Sequence, residues 1–367
     1  MNEGALLEYR VSRLFFRNGY FTRTSLKLKS DSYSEPVDIT DIDVLGIKYD
    51  TDFTPTVMMA ECKSGANDKP LAQIIRLRGL IDLFNFSRGY LVKSKVSTKI
   101  KQYAIKNKIT PLDYARLDEL EQILDLNEHW EGSYAKCNYD RLNEYHGDSL
   151  RRQDNLKNIY WFLKIDFWSL PSHLQIKKVM NVSAELTKKC SFNAKNYELW
   201  LLGESAILLS LAILNFCNEL YPLTENERKI YTENKMLEGL EGMTRDTQNQ
   251  LIQLMQTYAQ EKVKEACGKA LSLNNQDLTL PLPTYTQDLN EVTSRIISRP
   301  DIAIHIPRFL DYFIYQFILA DNDVDKEDLE LLFPVDIDIL AKMSKNIVKF
   351  MKSDIENIDL FNKLMAF

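Results

Sequence analysis

Glu61 and Lys63 stand two residues apart at the end of an apolar run, MMAECKSG (58–65). Side chains alternate along a strand, so residues 61 and 63 share one face and Cys62 takes the other. A carboxylate and an ammonium then project together from a strand end. Cys62 joins the apolar side with Met58, where a thiol behaves as a small hydrophobe. Asp43 opens the preceding apolar run, DVLGIKY (43–49), and the acidic DTDFTP (50–55) between the runs reads as a turn. An antiparallel hairpin of this length brings Asp43 beside Glu61. Two converging carboxylates make a hard oxygen site suited to Mg²⁺, with Mn²⁺ as a substitute. A metal held there activates water and stabilises both the attacked phosphodiester and the departing alkoxide. An adjacent lysine orients the water or stabilises the pentacovalent charge.

The elements that must hold these residues follow from periodicity. Leu6, Leu7, Val11, Leu14 and Phe15 recur at helical spacing over 3–18, and Gly19 ends that helix. YFTRTSLKLK reads as a strand and SDSYSEPVDIT as a polar loop, followed by the 43–49 and 56–63 strands. Pro70 is placed as the first residue of a helix running to about Phe86. RGYLVKS is a strand, 97–108 a helix, ITPLDY a short strand and ARLDELEQIL a helix. This order predicts a mixed α/β sandwich with a central sheet, one domain over residues 1–127. From 128 to 367 the pattern is helical, over 155–168, 172–190, 196–220, 225–273, 286–298, 302–320 and 335–366, with a subdivision expected near 278–285. WLLGESAILLSLAILNFCNEL (200–220) approaches the length of a membrane span. Glu204, Asn215, Asn218 and Glu219 interrupt it, so a helix buried within the helical region is expected and no membrane contact.

Composition narrows the function. The 367 residues carry a net charge of −6. That balance hides a basic stretch: residues 61–110 hold 11 Lys/Arg against 3 Asp/Glu, whereas 126–367 hold 27 against 35. An anion-facing surface near the N-terminus is the expectation. Lys69, Arg76, Arg78, Lys93 and Lys95, joined by Arg88, Lys99 and Lys101, are the candidates for a phosphate track that binds without reading sequence. The five scattered cysteines form no C-x-x-C pair, which argues against a disulfide framework or thiolate zinc and fits a reducing cytoplasm. The start, MNEGALLEYR, does not read as a signal peptide. No G-x-x-x-x-G-K-[ST] loop is present, so no nucleotide cofactor is expected.

The ordered set of a helix (GALLEYRVSRLFFRNGY), an Asp strand (DIDVLGI), Glu-x-Lys (MMAECKSG), then helix, RGYLVKSK, helix and ITPLDYARLDEL resembles the PD-(D/E)xK nuclease superfamily. Within it, residues 1–125 are most similar to archaeal Holliday-junction resolvases and Mrr-type restriction endonucleases. The resemblance implies a restriction-endonuclease-like α/β fold, with Asp43 and Glu61 as metal ligands and Lys63 as the catalytic lysine. It also implies Glu8 as a further metal-site carboxylate and the carbonyl of Cys62 as another ligand. Gln73 matches a helper position of some relatives. The sequence departs from the pattern where the motif's proline is missing before Asp43. Asp38 and Asp41 compete for that role, and Asp43 is preferred because DVLGI continues directly as an apolar strand. The expected function is a Mg²⁺-dependent deoxyribonuclease acting in restriction, anti-phage defence or DNA repair. Its helical region would regulate, self-associate or bind a protein partner. The alternative is a non-catalytic scaffold whose helical region does the binding.

Overall fold

The computed structural model describes residues 3–29, 38–64, 69–124, 136–189, 196–238, 245–268, 282–316 and 326–351. Helix α1 (Glu3–Arg17) buries Leu7, Val11, Leu14 and Phe15. It closes in a Schellman turn: the Gly19 N–H donates to the Phe16 carbonyl at 3.0 Å and the Tyr20 N–H to the Phe15 carbonyl at 3.1 Å. Gly19 has φ +91°, a conformation open to glycine at no steric cost. The strands are β1 (Phe21–Lys29), β2 (Asp38–Tyr49), β3 (Pro55–Lys63), β4 (Arg88–Lys93) and β5 (Ile109–Asp113). They form one sheet in the order β1-β2-β3-β4-β5, antiparallel through β1, β2 and β3 and parallel from β3 to β5. The parallel pairs are bridged by α2 (Pro70–Leu83), with Pro70 in its first turn, and α3 (Thr98–Lys106). Helix α4 (Tyr114–Ile123) follows β5, capped by Asp113, which accepts from the Arg116 N–H at 3.1 Å.

Two apolar layers sandwich this sheet. Met59, Leu45 and Leu91 pack on Ile74, Leu77 and Ile81 of α2. On the other face Met58, Ala60, Cys62 and Val92 pack on Leu7, Val11 and Phe15 of α1 and Leu117 of α4. Alternation in MMAECK thus divides one strand between two cores, as the period-2 pattern requires. Strand β2 begins at Asp38, earlier than its apolar run, because β1 extends to Lys29 and supplies ladder partners out to Asp38. The loop expected over 30–40 lies outside the described residues for 30–37.

The remainder is helical: α5 (Lys136–Arg151), α6 (Asn155–Lys164), a 3-10 turn (Asp166–Ser169), α7 (Ser172–Lys189), α8 (Asn196–Leu220), α9 (Glu225–Leu237), α10 (Arg245–Cys267), α11 (Thr286–Ser298), α12 (Pro300–Ala303), α13 (Ile306–Tyr315), α14 (Lys326–Leu332) and α15 (Ile337–Met351). The expected single helix over 225–273 is two helices, and that over 302–320 breaks before Pro307, in the first turn of α13. Helices α5 and α14 escaped the apolar periodicity: α5 is mostly polar and α14 has only seven residues. Residues 352–366 of the last expected helix, the 127/128 boundary and residues 278–281 of the 278–285 break lie outside the described residues. Helix α8 packs against α6, α7, α13 and α15. It has a mean hydropathy of 1.8 over its most apolar window, 89% of which is buried inside the protein.

The two regions share a core. Phe16, Phe21, Tyr49 and Phe53 of the α/β part belong to the same apolar cluster as α8, α13 and α15. Polar contacts cross the same boundary. Tyr49 donates its hydroxyl to Asn215 at 2.7 Å, and Arg308 donates to the Phe16 carbonyl at 2.9 Å.

Candidate active site

At Asp43 the sheet forks. The β2–β3 ladder ends with Val44 opposite Ala60. The β1–β2 ladder pairs Thr24 with Val44 and Leu26 with Ile42 but skips the residues between them, Ser25 and Asp43. Ser25 sits at φ 51°, in the left-handed region. Beyond the fork β3 stays paired with β4, Glu61 opposite Leu91 and Lys63 opposite Lys93. The Cys62 N–H, left without a β2 partner, donates instead to Asp43 Oδ2 at 2.7 Å. A side-chain carboxylate thus replaces a ladder carbonyl and is held where the strands part. Irregularities of this kind re-aim side chains at sites.

Glu61 and Lys63 meet Asp43 at that fork. Lys63 Nζ lies 2.9 Å from Glu61 Oε1 and 3.4 Å from Asp43 Oδ2. Glu61 is only 2% exposed, yet it faces a second cation, Arg76 of α2, at 2.7 Å. Arg76 also donates to the Thr40 hydroxyl at 2.8 Å, and half of its side chain remains in solvent. Glu8 approaches from α1, accepting from the Ser25 hydroxyl at 2.9 Å. Two carboxylates from two strands therefore meet one lysine and one arginine, and Glu8 of α1 stands within electrostatic reach of Asp43 and Lys63.

Burial raises the Asp43 carboxyl above its ordinary value despite the Cys62 N–H and the Lys63 charge. Burial also raises Glu8, and the Asp43 charge adds to the rise. Lys63 moves the other way from a catalytic base. Burial lowers it, but Glu61 and Asp43 outweigh that and hold it above its ordinary value. Lys63 is therefore a cation at neutral pH, fit to donate hydrogen bonds and stabilise negative charge. Lys164, at the end of α6, is pushed down to about 8 by burial and feels the charges of Glu204, Arg23 and Glu8.

The aspartate choice resolves geometrically. Asp43 meets Lys63, whereas Asp41 is exposed and stands opposite Lys27. The Asp38 side chain is outside the described residues. Cys62, assigned as a metal ligand through its carbonyl, keeps its thiol in the core, where burial pushes its pKa well up.

The phosphate track needs corrections. Lys93 is 3% exposed, its ammonium 3.4 Å from Gln73 Oε1, so it lies inside the strand end and not on a solvent-facing surface. Gln73 accordingly sits beside the register partner of Lys63. Arg76 is engaged by Glu61, Arg78 by Asp82 at 2.7 Å and Lys101 by Asp113 at 2.5 Å. Arg88 starts β4, at the opposite end of the strand from the site. Lys69, Lys95 and Lys99 remain exposed near the C-terminal ends of β3 and β4.

Sequence reasoning missed Ser25 and Lys164. One signal for Ser25 existed. In FTRTSLKLK the apolar phase slips from odd (Phe21) to even (Leu26, Leu28), which marks an irregularity between them. Lys164 carries no such mark, because its partner, the Thr24 carbonyl of β1, is distant in the sequence.

Among the described residues no three His, Cys, Asp or Glu side chains close on a common point at metal-ligating distance. The donor set nevertheless suits a hard divalent cation. It is all oxygen, it is partly desolvated, and its present counter-charges are the ends of two long side chains that can move aside. Comparison of the chain with protein-family models, curated proteins and solved structures finds no match.

Proposed function

We propose that this protein is a metal-dependent nuclease that hydrolyses phosphodiester bonds of DNA. The observation that carries the reading is the fork: Asp43 seated on the Cys62 N–H, with Lys63 reaching both it and Glu61, and Glu8 within electrostatic reach, at the end of a mixed sheet. The resemblance of residues 1–125 to PD-(D/E)xK nucleases supports the same roles. Glu8, Asp43 and Glu61 would hold the Mg²⁺ or Mn²⁺ ion. Bound there, the ion supplies Lewis-acid stabilisation of the phosphoryl oxygens and an acidified water.

The chain's own residues do the rest. Lys63 keeps its proton and would direct it at the attacking water or at the negative charge growing on the phosphoryl oxygens. Arg76, half in solvent, is placed to exchange Glu61 for a backbone phosphate. Lys69, Lys95 and Lys99 add non-specific affinity for duplex or branched DNA. Restriction, anti-phage defence or repair in the cytoplasm is the setting that the resemblance suggests. One observation favours the second reading, a non-cutting scaffold: Arg76 already neutralises Glu61.

Cleavage of supercoiled plasmid with Mg²⁺ or Mn²⁺ tests the two readings. Wild type is expected to nick or linearise the plasmid, and EDTA to stop it. Lys63→Ala and Asp43→Ala should each lose about 10²-fold or more in rate with the fold intact by circular dichroism. Equal residual cutting by wild type and both variants would mean a contaminant and would refute the nuclease reading.

A further inference from the structure

Three consecutive residues of β1 reach in different directions. Arg23 is gripped by the helical region: its Nε and Nη2 donate to Glu204 of α8, both at 2.8 Å, and its Nη1 to Asp311 of α13 at 2.8 Å. The carbonyl of Thr24 accepts from Lys164 Nζ of α6 at 2.7 Å. Ser25 then turns into the left-handed region, φ 51°, and its hydroxyl holds Glu8 at 2.9 Å. Glu8 in turn lies within electrostatic reach of Asp43, Lys63 and Lys164.

A non-glycine residue at positive φ persists only where its surroundings over-determine it. Here the carbonyl immediately before Ser25 is pinned by Lys164, and the side chain before that by two buried carboxylates. These contacts fix the peptide plane that enters Ser25 and so the direction of its hydroxyl. We infer that the helical region sets the position of the metal-site carboxylate Glu8 through this relay, with Lys164 and Ser25 as positioning residues. The inference rests on the nuclease reading above. It assigns the helical region a part in the active site itself: α6 and α8 hold β1 in the shape that presents Glu8. Outer partners of ligating carboxylates tune metal affinity in this way.

The test is calorimetric titration of the full-length protein with Mn²⁺, with plasmid cleavage against Mn²⁺ concentration in parallel. Lys164→Met and Ser25→Ala are expected to weaken Mn²⁺ binding about 10-fold or more and to shift half-maximal cleavage by a similar factor. Lys164→Arg, which can still reach the Thr24 carbonyl, should restore most of it. Lys29→Met removes another contact between the two regions, the 2.7 Å pair with Asp166, and should leave Mn²⁺ affinity unchanged. Should Lys164→Met fail to fold, Ser25→Ala at an exposed position carries the test. Unaltered Mn²⁺ affinity in Ser25→Ala and Lys164→Met, with binding abolished in Asp43→Ala, would overturn the relay and leave the nuclease reading standing. A wild type that neither binds Mn²⁺ nor cuts would overturn both.

Discussion

Asp43 is held above its ordinary carboxyl value chiefly by burial, at a position where Lys63 and one backbone N–H only partly compensate. Such a group binds its proton more tightly folded than unfolded. Its contribution to stability therefore falls as pH rises through the ordinary Asp range and is least favourable at neutral pH. Asp43→Asn, which keeps an oxygen for the Cys62 N–H, is expected to stabilise the metal-free protein by about 1 kcal/mol at pH 7. Well below pH 3.8 both states of the wild type hold the proton, so the gain should vanish there. Urea denaturation at the two pH values checks this. A loss at pH 7 would mean that the ion pair with Lys63 outweighs desolvation. That Glu61 and Lys63 lie side by side was legible, because residues two apart on a strand share one face. Lys93 was misplaced for the same reason in reverse: a lysine at a strand end reads as surface until the neighbouring helix is known to cover it.

At the scale of elements, the site depends on how closely α1 lies on the sheet. A Cβ built on Gly46 would stand 2.9 Å from Cδ2 of Phe15, which is fully packed. Gly46→Ala should cost about 1–3 kcal/mol through overpacking and lift the helix that carries Glu8. Thermal unfolding measures the first effect, and weakened Mn²⁺ binding would report the second. An alanine tolerated without change in either would show that Phe15 has room to rotate away. Most elements of the α/β part were legible, since their apolar periods are short and bounded by Gly19, Pro70 and Gly89. The fork was not. Nothing in TDIDVLG states that β2 leaves β3 at Asp43, because the departure is set by pairing with β1 and by the turn at Ser25.

For the whole molecule, the α/β part and the helical region form one packed body. Asp311 is fully buried and Glu204 nearly so, and both face Arg23 across the boundary. Arg23→Ala leaves two buried carboxylates without that guanidinium and is expected to cost about 3–5 kcal/mol. Denaturant unfolding followed by fluorescence of Trp168 and Trp200 should show the loss as a lower midpoint. If α/β and helical signals then separate into two transitions, Arg23 also couples the two regions. A change below about 1 kcal/mol would mean that the carboxylates find other partners or water. The boundary expected near residue 127 lies outside the described residues; the α/β part keeps its own two apolar layers, while Phe16, Phe21, Tyr49 and Phe53 join the helical cluster.

By itself, the sequence determined the order of elements in the α/β part, the strands that carry Asp43 and Glu61, and the division of MMAECK between two faces. These follow from local periods of 2 and 3.6 residues and from glycine and proline at their ends. Only the tertiary structure decided which aspartate meets Lys63, which cations turn inward, and that β1 is held from behind by Lys164, Glu204 and Asp311. The first two depend on how separate elements pack, through the pairs Asp43–Lys63, Glu61–Arg76 and Gln73–Lys93, and the third on contacts with helices more than a hundred positions away, so the local pattern carries no record of them.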